Sequence, residues 1–260
     1  MLFACKDKKE EQKRIERIVR QEILSKTNSK AAKLELIEEK EDQYLAVADL
    51  ENGQKIQAIF VGNADKYIFK ETLGSEVARQ ISDMFGVFCS DLSLKPIDSL
   101  NYSANAKLVS GENMNLRVVV GKGWYPTDSL SLKTMLTYQV KDYLGVDSLE
   151  ISLTATDSIN YQGKTLLNTG EKMDFSANQY GDWFVNNDLE SLMTATKYEF
   201  IKTNPKLSLH NLQIGKSKME NLYEGQVVIS DEKKIKDTQK LLVEYQQKGF
   251  QWKVVPLDKK

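Results

Sequence analysis

The chain has 260 residues, with 36 Lys and Arg against 37 Asp and Glu, 41% hydrophobic and 28% charged residues. That balance lacks the basic excess of a nucleic-acid footprint and is the composition of a globular protein. No apolar run approaches the roughly 20 residues of a membrane helix, and two cysteines with one histidine are too few for an ordinary Cys/His zinc site or a disulfide framework, so neither a metal nor another cofactor is expected.

At the amino terminus, Leu2-Phe3-Ala4-Cys5 precedes the charged stretch KDKKEEQKR. These four residues resemble a bacterial lipobox, in which a small residue before cysteine admits the lipoprotein peptidase and the cysteine becomes the acylated first residue. Lys6-Asp7 also resembles the charged start of some surface-exposed lipoproteins of Gram-negative bacteria. The charged and apolar regions that precede a lipobox are missing from the sequence as given. The resemblance implies lipidation at Cys5, attachment to the outer membrane or cell surface through a lipid anchor only, and residues 1–11 as a hydrated tether. An intracellular protein with an ordinary Cys5 is the alternative.

Beyond the tether a tyrosine recurs at Tyr44, Tyr102, Tyr161 and Tyr223, at spacings of 58, 59 and 62 residues, and its surroundings recur with it. Two residues on is Ala46, Ala104, Gly163 or Gly225, six on is Leu50, Leu108, Leu167 or Ile229, and nine on is Gly53, Gly111, Gly170 or Glu232. The even offsets place the tyrosine, the small residue and the leucine on one face of a strand. The glycine then falls in a tight hairpin turn that needs positive φ. Ahead of each hairpin lies a helical stripe: Ile15, Ile18, Val19, Glu22 and Ile23; Val77, Ile81, Met84 and Phe85; Leu132, Met135, Leu136, Val140 and Tyr143; Leu189, Leu192, Met193 and Phe200. Gly145 is expected as a C-cap and Asp188 as an N-cap.

The chain therefore reads as α+β: four tandem degenerate repeats of about 60 residues, each a helix followed by a three- to four-stranded antiparallel meander. The expected segments are a tether over 1–11 and repeats over 12–71, 72–127, 128–187 and 188–260. The last is divergent, with about seven residues inserted between Lys233 and Gly249. The plan is similar in outline to secreted inhibitors of the β-lactamase-inhibitor or cystatin-like kind, a likeness of plan that names no target.

No constellation in the sequence requires catalysis. Cys89 reads as a buried small hydrophobe and His210 as structural, with no base or nucleophile beside either. Gly121-Lys122-Gly123 lacks the third glycine and the helix of a phosphate loop and reads as a hairpin turn. Asp98 and Asp157, each in Asp-Ser-x-Asn-Tyr, read as turn residues, and Glu38, Glu39, Glu41 and Asp42 as a solvated turn. The aromatic row Tyr67, Trp124, Tyr125, Trp183, Phe184 and Trp252 is the candidate binding strip, against a reading in which each ring closes the core between sheet and helix. The sequence points to a non-enzymatic envelope lipoprotein presenting a repeat surface to a protein or glycan partner, with no nucleic acid. An intracellular immunity or inhibitor protein is the alternative, and a hydrolase using carboxylates or Cys89 is the weaker one.

Overall fold

Helix, strand, strand, strand, strand is the order of elements, met four times in succession. The computed structural model describes residues 2–40, 43–63, 66–230, 236–246 and 249–255. The fold is α+β, and among the described residues it has four helices and four small antiparallel sheets, each a four-stranded meander. Two compact units divide the chain, Met1–Trp124 and Tyr125–Lys260.

The first unit begins with α1 (Leu2–Thr27), so the stretch expected as a hydrated tether is helical, and the first buried side chain among the described residues is Ile15. Ile15, Val19 and Ile23 pack on Ala46, Ala48, Leu50, Ile56, Ala58 and Phe60 of β2 (Gln43–Leu50) and β3 (Lys55–Asn63). β1 (Ala31–Lys40) and β4 (Lys66–Glu71) complete that sheet. α2 (Leu73–Phe85) follows, capped by Thr72 and ended by Gly86 at φ +63°. Its sheet is β5 (Cys89–Pro96), β6 (Asn101–Leu108), β7 (Asn113–Val119) and β8 (Gly123–Pro126).

The second unit carries α3 (Ser129–Leu144), which Asp128 caps and Gly145 ends, and the sheet β9 (Ser148–Ala155), β10 (Asn160–Leu167), β11 (Lys172–Asn178) and β12 (Trp183–Val185). Then come α4 (Leu189–Thr203), capped by Asp188, and β13 (Ser208–Lys216), β14 (Leu222–Ser230), β15 (Lys236–Gln246) and β16 (Gly249–Val255). Phe200 packs there on Val227 and Ile229. Met84, Leu189 and Met193, placed on the stripes by spacing, are exposed at 44, 41 and 36%, because each sits at the margin of a stripe already filled by its neighbours.

The turn glycines behave as the hairpins require. Gly53, Gly111 and Gly170 have φ of +88, +106 and +91°, and their N–H groups donate to Leu50, Leu108 and Leu167 at 3.0, 3.0 and 2.9 Å. The ladders also share a rung. Tyr44 faces Phe60, which faces Phe69; Tyr102 faces Val118; Tyr161 faces Ala177, which faces Trp183; Tyr223 faces Val243, which faces Trp252. The first strand of each sheet carries a register shift near its start, at Ala31/Lys33, Cys89/Asp91, the β9 residues opposite Leu166/Leu167, and Leu209/Asn211. The residues inserted in the fourth segment lengthen its last hairpin: β15 has 11 residues against 7 in β7 and in β11.

Candidate functional site

The described members of the aromatic row, Trp124, Tyr125, Trp183 and Phe184, do not all share one face. In the first sheet Tyr67 faces Gly62, and Phe69 holds the rung that Trp183 and Trp252 hold elsewhere, so Tyr67 leaves the alignment by two residues. The side chains of Cys5, Tyr67 and Trp252 lie outside the described residues. Trp124 meets Phe85 of α2 edge to face at 6.0 Å, and Trp183 meets Tyr143 of α3 at 5.2 Å and Phe175 at 5.7 Å. Both rings close the seam between sheet and helix. Phe184 pairs opposite Ser176, and alternation along β12 turns it to the face opposite Trp183. Tyr125 lies next to Trp124 in β8 and stacks edge to face on Tyr180 at 5.2 Å. The described members thus divide between two faces, with Trp124 and Trp183 spent on packing.

The other singled-out residues are local structure. Asp98 accepts from the backbone of Leu100 and Asn101 at 2.8 Å each, and Asp157 from Ile159 and Asn160 at 2.8 and 2.9 Å. Backbone N–H donors, with Asn101, hold Asp98 below the usual carboxylate range, and Asn160, with the same kind of donors, does so for Asp157. Lys122 N–H closes the Gly121-Lys122-Gly123 turn on Val119 at 2.9 Å, as Gly181 closes its own on Asn178 at 3.0 Å. Cys89 is a buried free thiol, pushed up by burial. His210 is exposed, with Nε2 2.8 Å from Ser230 Oγ. Glu38 and Glu39, expected in a turn, lie exposed at the end of β1, where Glu39 accepts from Gln43 at 3.0 Å; Glu41 and Asp42 lie outside the described residues.

A joint that spacing did not single out is built at the helix starts. β12 is short and pairs with β11 only from Phe175 onward; the Asp174 carbonyl still accepts from Asn186 N–H at 2.9 Å, while the Asp174 N–H turns to the helix. The first turn of α4 receives it. Asp174 N–H donates to Ser191 Oγ at 2.8 Å, Thr194 Oγ1 donates to the Lys172 carbonyl at 3.0 Å, and Ser191 N–H donates to its cap Asp188 at 2.8 Å. The first unit repeats this at α2, where Gln57 N–H donates to Ser75 Oγ at 3.2 Å and Ser75 N–H to Thr72 Oγ1 at 3.3 Å. The readable signal is a capping residue followed three places on by serine: Thr72 and Ser75, Asp128 and Ser131, Asp188 and Ser191.

One turn further along α4 the joint becomes ionic. Lys197 Nζ pairs with Glu171 Oε1, and Tyr198 Oη donates to Glu171 Oε2 at 2.7 Å while lying 2.6 Å from Thr169 Oγ1. Burial pushes Glu171 up, but hydrogen bonds from Lys197, Thr169 and Tyr198 and the lysine charge outweigh it and bring the carboxyl down to about 2. Burial pushes the Tyr198 phenol up. These contacts tie the Thr169–Glu171 turn to α4, so the cluster is a clamp between the third sheet and the helix that follows it.

Two grooves flank the clamp. One, about 360 Å³, runs between α4 and β13, lined by Glu171, Lys197, Met193, Ile201, Leu209 and His210 among others. The other, about 520 Å³, lies over β10 and β11, with Glu150, Asp174, Asp188 and Glu190 opposite Lys164 and Lys172. Among the described residues no three His, Cys, Asp or Glu side chains converge as metal ligands, and no helix is long and apolar enough to cross a membrane. No family model, no curated protein and no solved structure matches the chain.

Proposed function

We propose that the chain is a non-enzymatic binding protein of four degenerate α+β repeats, tethered to the cell envelope through a lipidated Cys5, that offers its inter-repeat grooves to a protein partner. The observation that carries the repeat reading is the shared rung, with the recurring tyrosine on the second strand of every sheet and Trp183 and Trp252 at the same place on the fourth. Protein is favoured over glycan because the grooves are lined by charged and aliphatic side chains, whereas Trp124 and Trp183, the rings a sugar would stack on, lie against helices.

Lipidation adds about 0.8 kcal/mol per buried methylene, so a multiply acylated Cys5 would hold the chain at a membrane while the repeats face solvent. The test is expression of the gene with its upstream DNA in a bacterial host fed labelled palmitate. Wild type should be labelled and sediment with membranes, and Cys5→Ser should do neither. Equal labelling of both, or a soluble unlabelled wild type, would refute the anchor.

A further inference from the structure

Among the described residues, no side chain from another sheet lines the face of α1 that corresponds to the clamp of α4. Both helices form a groove with the start of their own sheet. On α4 the lining includes Lys197 and Ile201, 12 and 8 residues before Leu209, where β13 shifts register. On α1 it includes Arg20 and Leu24, 11 and 7 residues before Ala31, where β1 shifts register. Arg20 thus stands where Lys197 stands, and Leu24 where Ile201 does. In the α4 groove a wall comes from the preceding sheet, whose β10–β11 turn inserts Glu171. In the α1 groove, about 440 Å³, every lining residue belongs to α1 or to its own sheet and the loops that join them.

The charge of this groove suits an acidic element. Lys13, Arg17, Arg20 and Lys30 line it against Glu16 and Glu51. Arg20 is held in place by Glu16 at 3.0 Å and by donation to the Ala31 carbonyl at 2.6 Å. Lys13, Arg17 and Lys30 have no carboxylate partner among the described residues. Leu24, 41% exposed, offers an apolar floor beside them. We propose that this face of α1 is a docking site for the acidic β-hairpin tip of a protein partner, whose carboxylate is taken between Arg17 and Arg20 as Glu171 is taken by Lys197 and Tyr198. The proposal rests on the repeat reading, because the α4 clamp is its template.

The probe is a head-to-tail cyclised peptide of residues 160–178, the hairpin bearing Thr169-Gly170-Glu171, since cyclisation removes most of the ordering cost of a free hairpin. It is titrated into the isotope-labelled full chain and read by amide chemical shifts. Saturable shifts confined to α1 and the start of β1 are expected. Lys13→Glu with Arg17→Glu, or Gln in place of Glu171 in the peptide, should weaken binding about tenfold or more. The milder Lys13→Gln with Arg17→Gln, both at exposed positions, guards against a folding defect and should weaken it in the same direction. Absence of saturable shifts, or shifts that survive the charge changes, overturns the site. So does binding of phosphatidylglycerol vesicles in place of the peptide, or self-association of the chain that the same changes abolish. Glu171→Gln in the chain separates the two levels: if stability is unchanged, the template and with it the repeat reading fails, whereas a destabilised variant with no peptide binding sinks this inference alone.

Discussion

Gly163 shows how closely single residues are matched across these sheets. It faces Phe175 on the neighbouring strand, and a Cβ there would lie 2.2 Å from the ring. At the corresponding rungs the pairs are Ala46 with Ala58, Ala104 with Leu116 and Gly225 with Leu241, so an alanine opposite a leucine fits here, whereas the Phe175 ring leaves no room for a Cβ. Gly163→Ala should cost roughly 1–3 kcal/mol by overpacking. Adding Phe175→Leu, which recreates the Ala104 and Leu116 pair, should recover part of it. Urea unfolding midpoints decide this: a double variant no better than the single one would show that the two positions are not coupled through size.

Among elements, the helix starts matter most, because each described joint makes one serine serve two backbones. Ser191 is 2% exposed and accepts the Asp174 N–H while its own N–H is held by Asp188. Ser191→Ala would strand a strand donor and should destabilise by about 1–3 kcal/mol. Hydrogen exchange at Asp174 should rise with it, and unchanged protection there would mean that the first turn of α4 is not what satisfies the strand. This joint also marks the limit of what the sequence made legible. Strand alternation and turn glycines are local patterns, so the hairpins, the caps Asp188 and Gly145, and the turns at Asp98 and Asp157 could be read directly. The register of β3 on β4 depends on where a strand stops, which is why Tyr67 was aligned with the tryptophans although Phe69 holds their rung. The clamp was hidden for a related reason. Glu171 follows Gly170 as Glu112 follows Gly111, which marks only a turn; the side chains that grip it, Lys197 and Tyr198, lie 26 and 27 residues away, and only packing brings them together.

At the scale of the whole molecule the clamp should appear in the acid limb of unfolding. A carboxyl held down to about 2 against an ordinary 4.5 stabilises the fold fully above about pH 4.5, and that contribution fades as pH falls through 2. Lys197 is displaced upward, as burial, which lowers it, is outweighed by Glu171, so its share is full below its ordinary range and fades only in strong alkali. The stability gap between wild type and Glu171→Gln should therefore be flat from pH 5 to pH 9, about 1–2 kcal/mol given side chains about a third exposed, and should close between about pH 4.5 and 2. A gap independent of pH down to 2 would mean that the carboxylate charge contributes nothing.

The long last hairpin sets the fourth sheet apart from the third. Three residues before the shared rung, Asp174 on β11 is bonded by a helix, whereas the residue three before it on β15, Lys240, is already paired with Val255 of β16. The third sheet therefore completes this place with a serine borrowed from the following helix, and the fourth with a strand of its own hairpin.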